Sequence, residues 1–427
     1  MSSELIHRLP AGWTENGLEG LVARGSKITY GVVQPGEQDP NGVPFVRGGD
    51  INNGKIAIGK LRTISQSVSE SYKRTLLQGG ELLMSLVGYP GEVAIVPESL
   101  AGANIARQAA YIKLGQSVDS QYVMYYLQSN LGKYYLFQKS TGSAQQVINL
   151  IDLKDVRVIL PPLPEQKKIA AILTSVDDVI EKTQAQIDKL KDLKTGMMQE
   201  LLTRGVGVNG KPHTEFKDSP VGRIPKGWEV TDLEELASFV TSGSRGWAQY
   251  YSDSGAIFIR IGNLTREHIN FRFKDTIYVN PPNTAEGKRT LVQTGDVLIS
   301  ITADLGVIAV VNDDIGEAYV NQHVSLVRLK DKSISRWVGH FLAFEESQKQ
   351  FTANNDSGAK AGLNLTAIRK TKVVLPPIEE MNKVVQSLDS LDTNIAIKRQ
   401  KLSKVSDTKK ALMQDLLTGK KRVKVDS

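Results

Sequence analysis

The 427-residue chain contains no cysteine. That single absence excludes disulfides, thiolate zinc sites and cysteine nucleophiles. No stretch approaches the roughly 18 to 20 apolar residues that a membrane-crossing helix needs. The opening MSSELIHRLPAGW lacks the apolar core of a signal peptide. No membrane association is therefore expected, and the cytoplasm is the expected location. Histidine is scarce too: His7, His213, His268, His323 and His340 are scattered without ligand spacing, so no metal site is expected. What is present describes a folded protein, with 40% hydrophobic and 23% charged residues. The length suffices for two domains with proper cores. Lys and Arg number 53 against 46 Asp and Glu, a net charge of +7. This modest excess favours a polyanionic partner, because basic side chains release counterions from a phosphate backbone.

The dominant feature is an internal repeat, which has to be recognised before any fold is assigned. Leu9-Pro10-Ala11-Gly12-Trp13 returns as Ile224-Pro225-Lys226-Gly227-Trp228, 215 positions later at the tryptophan. The same offset of 215 relates Gly80–Ser85 to Gly295–Ser300, Asn149-Leu150 to Asn364-Leu365, Leu160–Leu163 to Leu375–Ile378 and Met198–Thr203 to Met413–Thr418. Five separated blocks at one spacing establish a duplication. Between them the frame slips slightly. Phe45-Val46-Arg47 best matches Phe258-Ile259-Arg260 at an offset of 213, and Arg107-Gln108 is set opposite Asn321-Gln322 at 214. A shared frame with different polar positions suits two domains of one architecture that bind two different ligands, or two sequences of one kind of ligand.

Each globular half reads as α/β. Apolar, β-branched runs at Glu92–Val96, Tyr111–Leu114, Ile257–Ile261 and Val307–Val311 predict strands, and glycine and proline punctuate them. One amphipathic helix per copy is expected, at Tyr122–Phe137 and Trp337–Phe351, with Tyr126/Phe341 and Leu127/Leu342 as core positions. After each Pro-Pro the pattern changes to alternating steps of three and four. The first seam is Leu173, Val176, Ile180, Thr183, Ile187, Leu190, Lys194, Met197 and Leu201. Its counterpart is Leu388, Leu391, Ile395, Lys398, Leu402, Val405, Lys409, Leu412 and Leu416, with polar breaks at the same two places. So narrow and long a seam predicts a coiled-coil partner, and the simplest partner for one helix is the other. The alternative is two amphipathic helices, each docked on its own domain.

The expected fold class is therefore α+β: α/β globular domains duplicated in tandem and separated by two long helices. These would pair as an antiparallel intramolecular coiled coil with pseudo-two-fold symmetry. The expected boundaries are 1–160 and 223–375 for the domains, 161–205 and 376–420 for the helices, 206–222 for a linker and 421–427 for a basic tail. The 28 residues from Leu173 to Leu201 span about 42 Å as a helix. Half-sites read by two-fold DNA-binding dimers lie about 34 to 36 Å apart, so the lengths are compatible.

Leu160-Pro161-Pro162-Leu163-Pro164-Glu165-Gln166-Lys167-Lys168-Ile169 resembles the entry to the first conserved helix of type I restriction–modification specificity subunits. Met198–Arg204, the segment His213–Ser219 leading into Ile224–Trp228, and Leu416-Leu417-Thr418-Gly419-Lys420 resemble that family as well, so the similarity covers essentially the whole chain. Glu379-Glu380-Met381-Asn382 departs from it, lacking the Pro-Glu-Gln of the first copy, in a place where these residues are expected to cap a helix. The resemblance implies a non-catalytic subunit whose two target-recognition domains each read half of a bipartite, asymmetric site in double-stranded DNA. It implies helices that set the spacer and recruit modification (methyltransferase) subunits, two per chain, with restriction/translocase subunits as further partners. S-adenosylmethionine would be bound by the modification subunit and no cofactor by this chain. Two other classes stay open: a self-sufficient nuclease or methyltransferase, and a scaffold whose two heads bind proteins.

The repeat also tests motif lookalikes. Gly49–Lys55 has Walker A spacing, but Ile56 stands where the magnesium-binding Ser/Thr should be, and the segment alternates like a strand. Asn280-Pro281-Pro282-Asn283 lacks the aromatic residue of the amino-methyltransferase motif, and reads as a turn. Asp152-Leu153-Lys154 becomes Ala367-Ile368-Arg369 in the second copy, so no carboxylate pair for a metal is repeated. No catalytic residue is expected.

For DNA, affinity comes from Lys and Arg on phosphates and specificity from polar side chains at base edges. The candidates in the first domain are Arg47, Asp50, Asn52, Asn53, Ser85, Tyr89, Arg107, Gln108 and the run Lys139–Gln146, notably Lys139, Thr141, Gln145 and Gln146. In the second they are Arg260, Asn263, Thr302, Asp304, Asn321, Gln322, His323 and Lys360. Lys73-Arg74 and Lys288-Arg289, matched at 215, are the expected phosphate contacts. Asn149 and Asn364 are expected to satisfy backbone groups instead.

Overall fold

The computed structural model describes residues 9–138, 147–207, 210–243, 245–353 and 362–425. It divides the chain into two compact units, Met1–Gln184 with Gln400–Ser427, and Ala185–Arg399. Unit 1 is thus discontinuous in sequence, whereas unit 2 is one continuous segment. The first long helix (Leu163–Leu201) and the second (Ile378–Leu417) each begin in one unit and finish in the other.

Unit 1 is organised around an antiparallel sheet in the order Thr29–Tyr30, Ala109–Ile112, Leu82–Ser85, Val93–Ile95. Along its Leu82–Ser85 strand, Leu82 and Met84 face one cluster with Trp13, Tyr122, Tyr125, Leu173 and Leu417. Leu83 between them faces another cluster, with Val46, Ile51 and Ile105. The sheet is covered on both sides, which is why Leu82-Leu83-Met84 is continuously apolar rather than alternating. A smaller sheet, Arg62–Ile64, Val43–Val46, Asn104–Ile105, has its last pair parallel. A two-stranded pair, Thr14–Gly17 with Arg157–Leu160, ties the start of the domain to its end.

Unit 2 repeats this plan. Its four-stranded sheet runs Ala237–Ser242, Val324–Leu329, Val297–Ser300, Ile308–Val310. Val297 and Ile299 face Trp228, Trp337 and Leu388, while Leu298 faces Ile259 and Val320. The second sheet is larger here, Tyr251–Ser252, Ile277–Val279, Ala256–Ile259, Ala318–Val320, again with a parallel last pair. Thr14 pairs with Leu160 and Glu229 with Leu375, so the closing strands keep the 215-residue register. Residues 206–222, expected as a linker, contribute the Phe216–Ser219 strand of a hairpin with Gly222–Pro225.

Two expectations change. The single helix per copy is two helices: Ser120–Gln128 and Asn130–Phe137, then Ser335–Ala343 and Glu345–Ala353. At the first break the Ser129 hydroxyl donates to Tyr126 O at 2.6 Å and accepts from Gly132 N at 3.1 Å. Gly132 lies so close to Tyr126 that a Cβ would stand 2.1 Å from its carbonyl oxygen. Tyr126, Leu127, Phe341 and Leu342 are core residues, as expected. The second change is in alignment. Ala106 N donates to Val46 O as Asn321 N does to Ile259 O, and Leu86 N donates to Gln108 O as Ile301 N does to His323 O. Arg107-Gln108 therefore corresponds to Gln322-His323 at an offset of 215, not to Asn321-Gln322 at 214.

The long helices pack together antiparallel within each unit. In unit 1, Glu165 of the first helix meets Arg422 just beyond the second, and Asp177 meets Lys409. In unit 2, Gln186 meets Lys398 and Lys194 meets Asp392. Every seam position is buried or half-buried: Leu173, Thr183, Ile187, Lys194, Leu388, Leu391, Ile395 and Leu416 are buried, and Val176, Ile180, Leu190, Met197, Leu201, Lys398, Leu402, Val405, Lys409 and Leu412 half-buried. The second polar break of each seam is explained by an ion pair. Lys194 reaches Asp392 at 2.5 Å and Lys409 reaches Asp177 at 2.7 Å. These are one ion pair present twice, since each Lys and each Asp has its counterpart 215 positions away. A cation inside an apolar seam disfavours any register that leaves it unpaired.

Candidate nucleic-acid interface

In unit 1 the loops that leave the central strands converge. Gly48 packs where a Cβ would stand 2.8 Å from Ser85 Oγ and 2.9 Å from Gln108 O, so the loops after Val46, after Ser85 and before Ala109 touch. Ile148 N donates to Leu86 O at 3.1 Å, which brings the segment after residue 146 to the same place. In unit 2 the loops after Ile259, after Ser300 and before Val324 occupy the corresponding positions, joined by the bond from Leu363 N to Ile301 O at 2.9 Å.

The expected DNA-binding residues separate into two groups. Several are buried and spent on their own backbone. The Asp50 carboxylate, 6% exposed, accepts from Arg47 N at 2.8 Å and from the Arg47 guanidinium at 2.8 and 3.0 Å. This bond raises the Arg47 pKa further, against the opposing effect of burial. Asn263 holds the matching place, accepting from Arg260 N at 2.9 Å and donating to Arg272 O at 3.1 Å. Ser85 is fully buried and donates to Val87 O at 3.2 Å, and Asn321 accepts from His323 N at 3.1 Å. Arg289, half-buried, donates to Ser242 O at 2.6 Å, and Asp304, although exposed, is paired with the Arg266 side chain. In the free protein these side chains fix loop shape.

The others face outward. Arg107, Gln108, Asn52, Asn53, Lys73, Arg74, Tyr89 and Lys288 are exposed, and Arg47, Arg260, Thr302, Gln322 and His323 are half-buried. Asn52 and Asn53 stand in a hairpin between Ile51–Asn52 and Lys55–Ile56, with Asn53 at φ 47° and Gly54 at φ 80°. The Walker-like segment is thus a strand-turn-strand, with no helix to hold a phosphate. Lys73 and Arg74 sit beside Tyr72, whose hydroxyl accepts from Val33 N at 3.4 Å. Val32 O in turn accepts from Arg107 N at 2.9 Å. Lys139, Thr141, Gln145, Gln146 and Lys360 lie outside the described residues. Asn364 caps its helix by accepting from Ala367 N at 2.8 Å, whereas Asn149 donates to Asp152 at 3.5 Å.

Among the described residues, one group of ligand-type side chains comes together: His340, Asp389 and Asp392. Each carboxylate already has a cation. Arg336 grips Asp389 with two bonds of 2.5 and 2.6 Å, and Lys194 holds Asp392. Burial would raise the Asp389 pKa, but the bonds from His340 and Arg336 outweigh it and hold it down to about 2. Burial pushes the His340 pKa below 6.5. The neutral ring then donates Nε2–H to Asp389 Oδ1 at 2.7 Å. The cluster is charge-balanced by protein groups and braces unit 2.

One contact in each copy carried no local sequence signal. Trp13 Nε1 donates to Glu165 at 3.2 Å, and Trp228 Nε1 donates to Glu380 at 3.1 Å. The departure at Glu379–Asn382 therefore keeps the one carboxylate that the frame uses.

The sequence profile of the type I restriction modification DNA specificity domain matches residues 24–192 and 225–407. The chain belongs to that family. It is 28% identical over 436 residues to the putative type I restriction enzyme MjaX specificity subunit of Methanocaldococcus jannaschii, covering 98% of this chain and 96% of that protein. It is 21% identical to the type I restriction enzyme EcoKI specificity subunit of Escherichia coli, covering 90% and 83%. Among solved structures, the type I S subunit from M. genitalium superposes with a TM-score of 0.59 at 15% identity, over 97% of each chain. A chain from a type I R-M complex gives 0.53 at 17%, over 96% of this chain and 99% of that one. These two likenesses establish the α+β fold of a duplicated specificity domain. Among the described residues, no helix is long and apolar enough to cross a membrane.

Proposed function

We propose that this chain is the DNA-specificity subunit of a type I restriction–modification enzyme. Each domain reads one half of a bipartite, asymmetric site in duplex DNA. The observation that carries this reading is the family domain present twice, with one backbone frame and different side chains on the outward loops. Exposed Arg and Lys on those loops supply phosphate contacts, and the turn residues supply base contacts. The chain itself does no bond-making. It acts through modification subunits, two per chain, that bring S-adenosylmethionine and methylate adenine, and through restriction subunits where these are present. A methyltransferase must swing its target base out of the helix, and a partner gripping the duplex on both sides of that base supports such a distortion. The two long helices recruit the modification subunits and set the interval between the two half-sites.

Replacing residues 223–375 with the corresponding segment of a relative tests this directly. Methylation mapping of the host genome is expected to show one half of the motif changed and the other half retained. An unchanged motif would sink the proposal. Inserting four residues into the first long helix is expected to lengthen the unspecific spacer without altering either half.

A further inference from the structure

The same turn ends in different chemistry in the two domains. Residues 106–109 and 321–324 are closed by matching bonds, Ala109 N to Ala106 O at 3.0 Å and Val324 N to Asn321 O at 3.1 Å. The second residue of each turn is Arg107 or Gln322, the third is Gln108 or His323, and the facing position after the central strand is Val87 or Thr302. The Arg107 guanidinium is exposed and has no partner among the described residues. In unit 2 the side chains are linked. Gln322 Nε2 lies 3.1 Å from His323 Nε2, and His323 Nδ1 bonds the Thr302 hydroxyl.

This linkage restrains the Gln322 side chain. In one direction the Gln322 amide N–H donates to His323 Nε2, which must then be the bare ring nitrogen. The ring proton sits on Nδ1 and is donated to Thr302 Oγ1. The remaining amide edge, one carbonyl oxygen and one N–H, has no further partner among the described residues. The chain can also run in reverse, the Thr302 hydroxyl donating to Nδ1 and Nε2–H to the amide oxygen, and in either direction the amide keeps a donor and an acceptor for a ligand. A donor beside an acceptor matches adenine N7 and N6–H in the major groove. A guanidinium offers donors only, so it matches guanine O6 and N7 and needs no relay to orient it. The apolar Val87 in the facing position of unit 1 fits that difference.

We infer that Arg107 and Gln322 are the equivalent base-reading residues of the two domains, Arg107 for a guanine in one half-site and Gln322 for an adenine in the other, with Thr302 and His323 positioning the Gln322 amide. The inference rests on the DNA-specificity reading above. The test uses the complex purified from its native cells and a library of randomised duplexes, and sequences what is retained. The wild type is expected to enrich a two-part motif. Arg107→Ala is expected to relax one guanine in one half by at least about fivefold, and Gln322→Ala one adenine in the other half to the same degree. His323→Ala and Thr302→Val are expected to relax the position that Gln322→Ala relaxes, and no other. Thermal melting alongside each selection checks folding, and Arg107→Met and Gln322→Met, which cannot hydrogen-bond a base edge, serve where an alanine variant fails to fold. If the wild type enriches no sequence, both readings fall. If it enriches a motif that the position 107 and 322 variants leave as sharp as before, this inference alone falls. If the Gln322 variants relax their adenine and the His323 and Thr302 variants do not, the relay through His323 is overturned.

Discussion

Glu380 is fully buried at the start of the second long helix and gathers donors from four places. Its carboxylate accepts from Val206 N and Gly207 N at 2.8 Å, from Trp228 Nε1 at 3.1 Å and from His213 Nε2 at 3.0 Å. Glu380→Ala would leave those groups without an acceptor, and is expected to lower the stability of unit 2 by about 3 kcal/mol. Urea denaturation followed by hydrogen exchange in residues 185–399 measures it, and a loss under about 0.5 kcal/mol would contradict the assignment. The His340–Asp389 contact predicts a pH response. The folded state disfavours protonating His340, whose pKa is pushed below 6.5 by burial. Its contribution is therefore complete above pH 6.5 and is lost as pH falls through the lower folded value. Asp389, held down to about 2, adds a second loss between about pH 4 and 2. Denaturant midpoints of unit 2 between pH 7.5 and 4.5 are expected to fall, and His340→Gln is expected to flatten that dependence. Neither contact was legible in the sequence, because burial and partners 49 to 174 residues away create them. The outward polar residues could be named from type and repeat position. The burial of Asp50, Ser85 and Asn263 could not, since the same polar residues serve equally as loop braces.

At the scale of elements, the long helices were the most legible part of the chain, because a heptad seam needs only periodicity. The helix after the central strands was legible as amphipathic but not as broken. Ser129 lies inside an otherwise helical pattern, and the break depends on backbone packing at Gly132. The buried Lys194–Asp392 pair, with side chains 10% and 4% exposed, tests why polar residues sit in an apolar seam. Asp392→Ala alone strands a buried ammonium and is expected to cost about 3 to 5 kcal/mol. Lys194→Met with Asp392→Leu is expected to be neutral or stabilising, because neither charge then has to be desolvated. If the double variant is as unstable as the single one, the pair contributes more than register. A double-mutant cycle by chemical denaturation supplies the comparison.

At the scale of the molecule, the 215-residue repeat was readable from five blocks. The way contacts group was not, because the division falls in the middle of both helices rather than at their ends. Unit 1 needs residues 400–427: Leu416 and Leu417 lie in its core, and Arg422 donates to the buried Glu165 at 2.7 and 2.8 Å. A chain ending at Arg399 is expected to leave the amides of residues 9–184 poorly protected from hydrogen exchange while those of 185–399 stay protected. Equal protection in both would contradict this division.

This discontinuity has a consequence during synthesis. Residues 185–399 can complete their contacts as soon as they emerge, although they are made second. Residues 1–184 must wait for the stretch that follows residue 399. At roughly 5 to 20 residues per second the interval lasts about 10 to 45 s. Throughout it the Trp13, Leu173 and Tyr125 face lacks its last covering residues, so the first-made half of this protein is the half that most needs a chaperone.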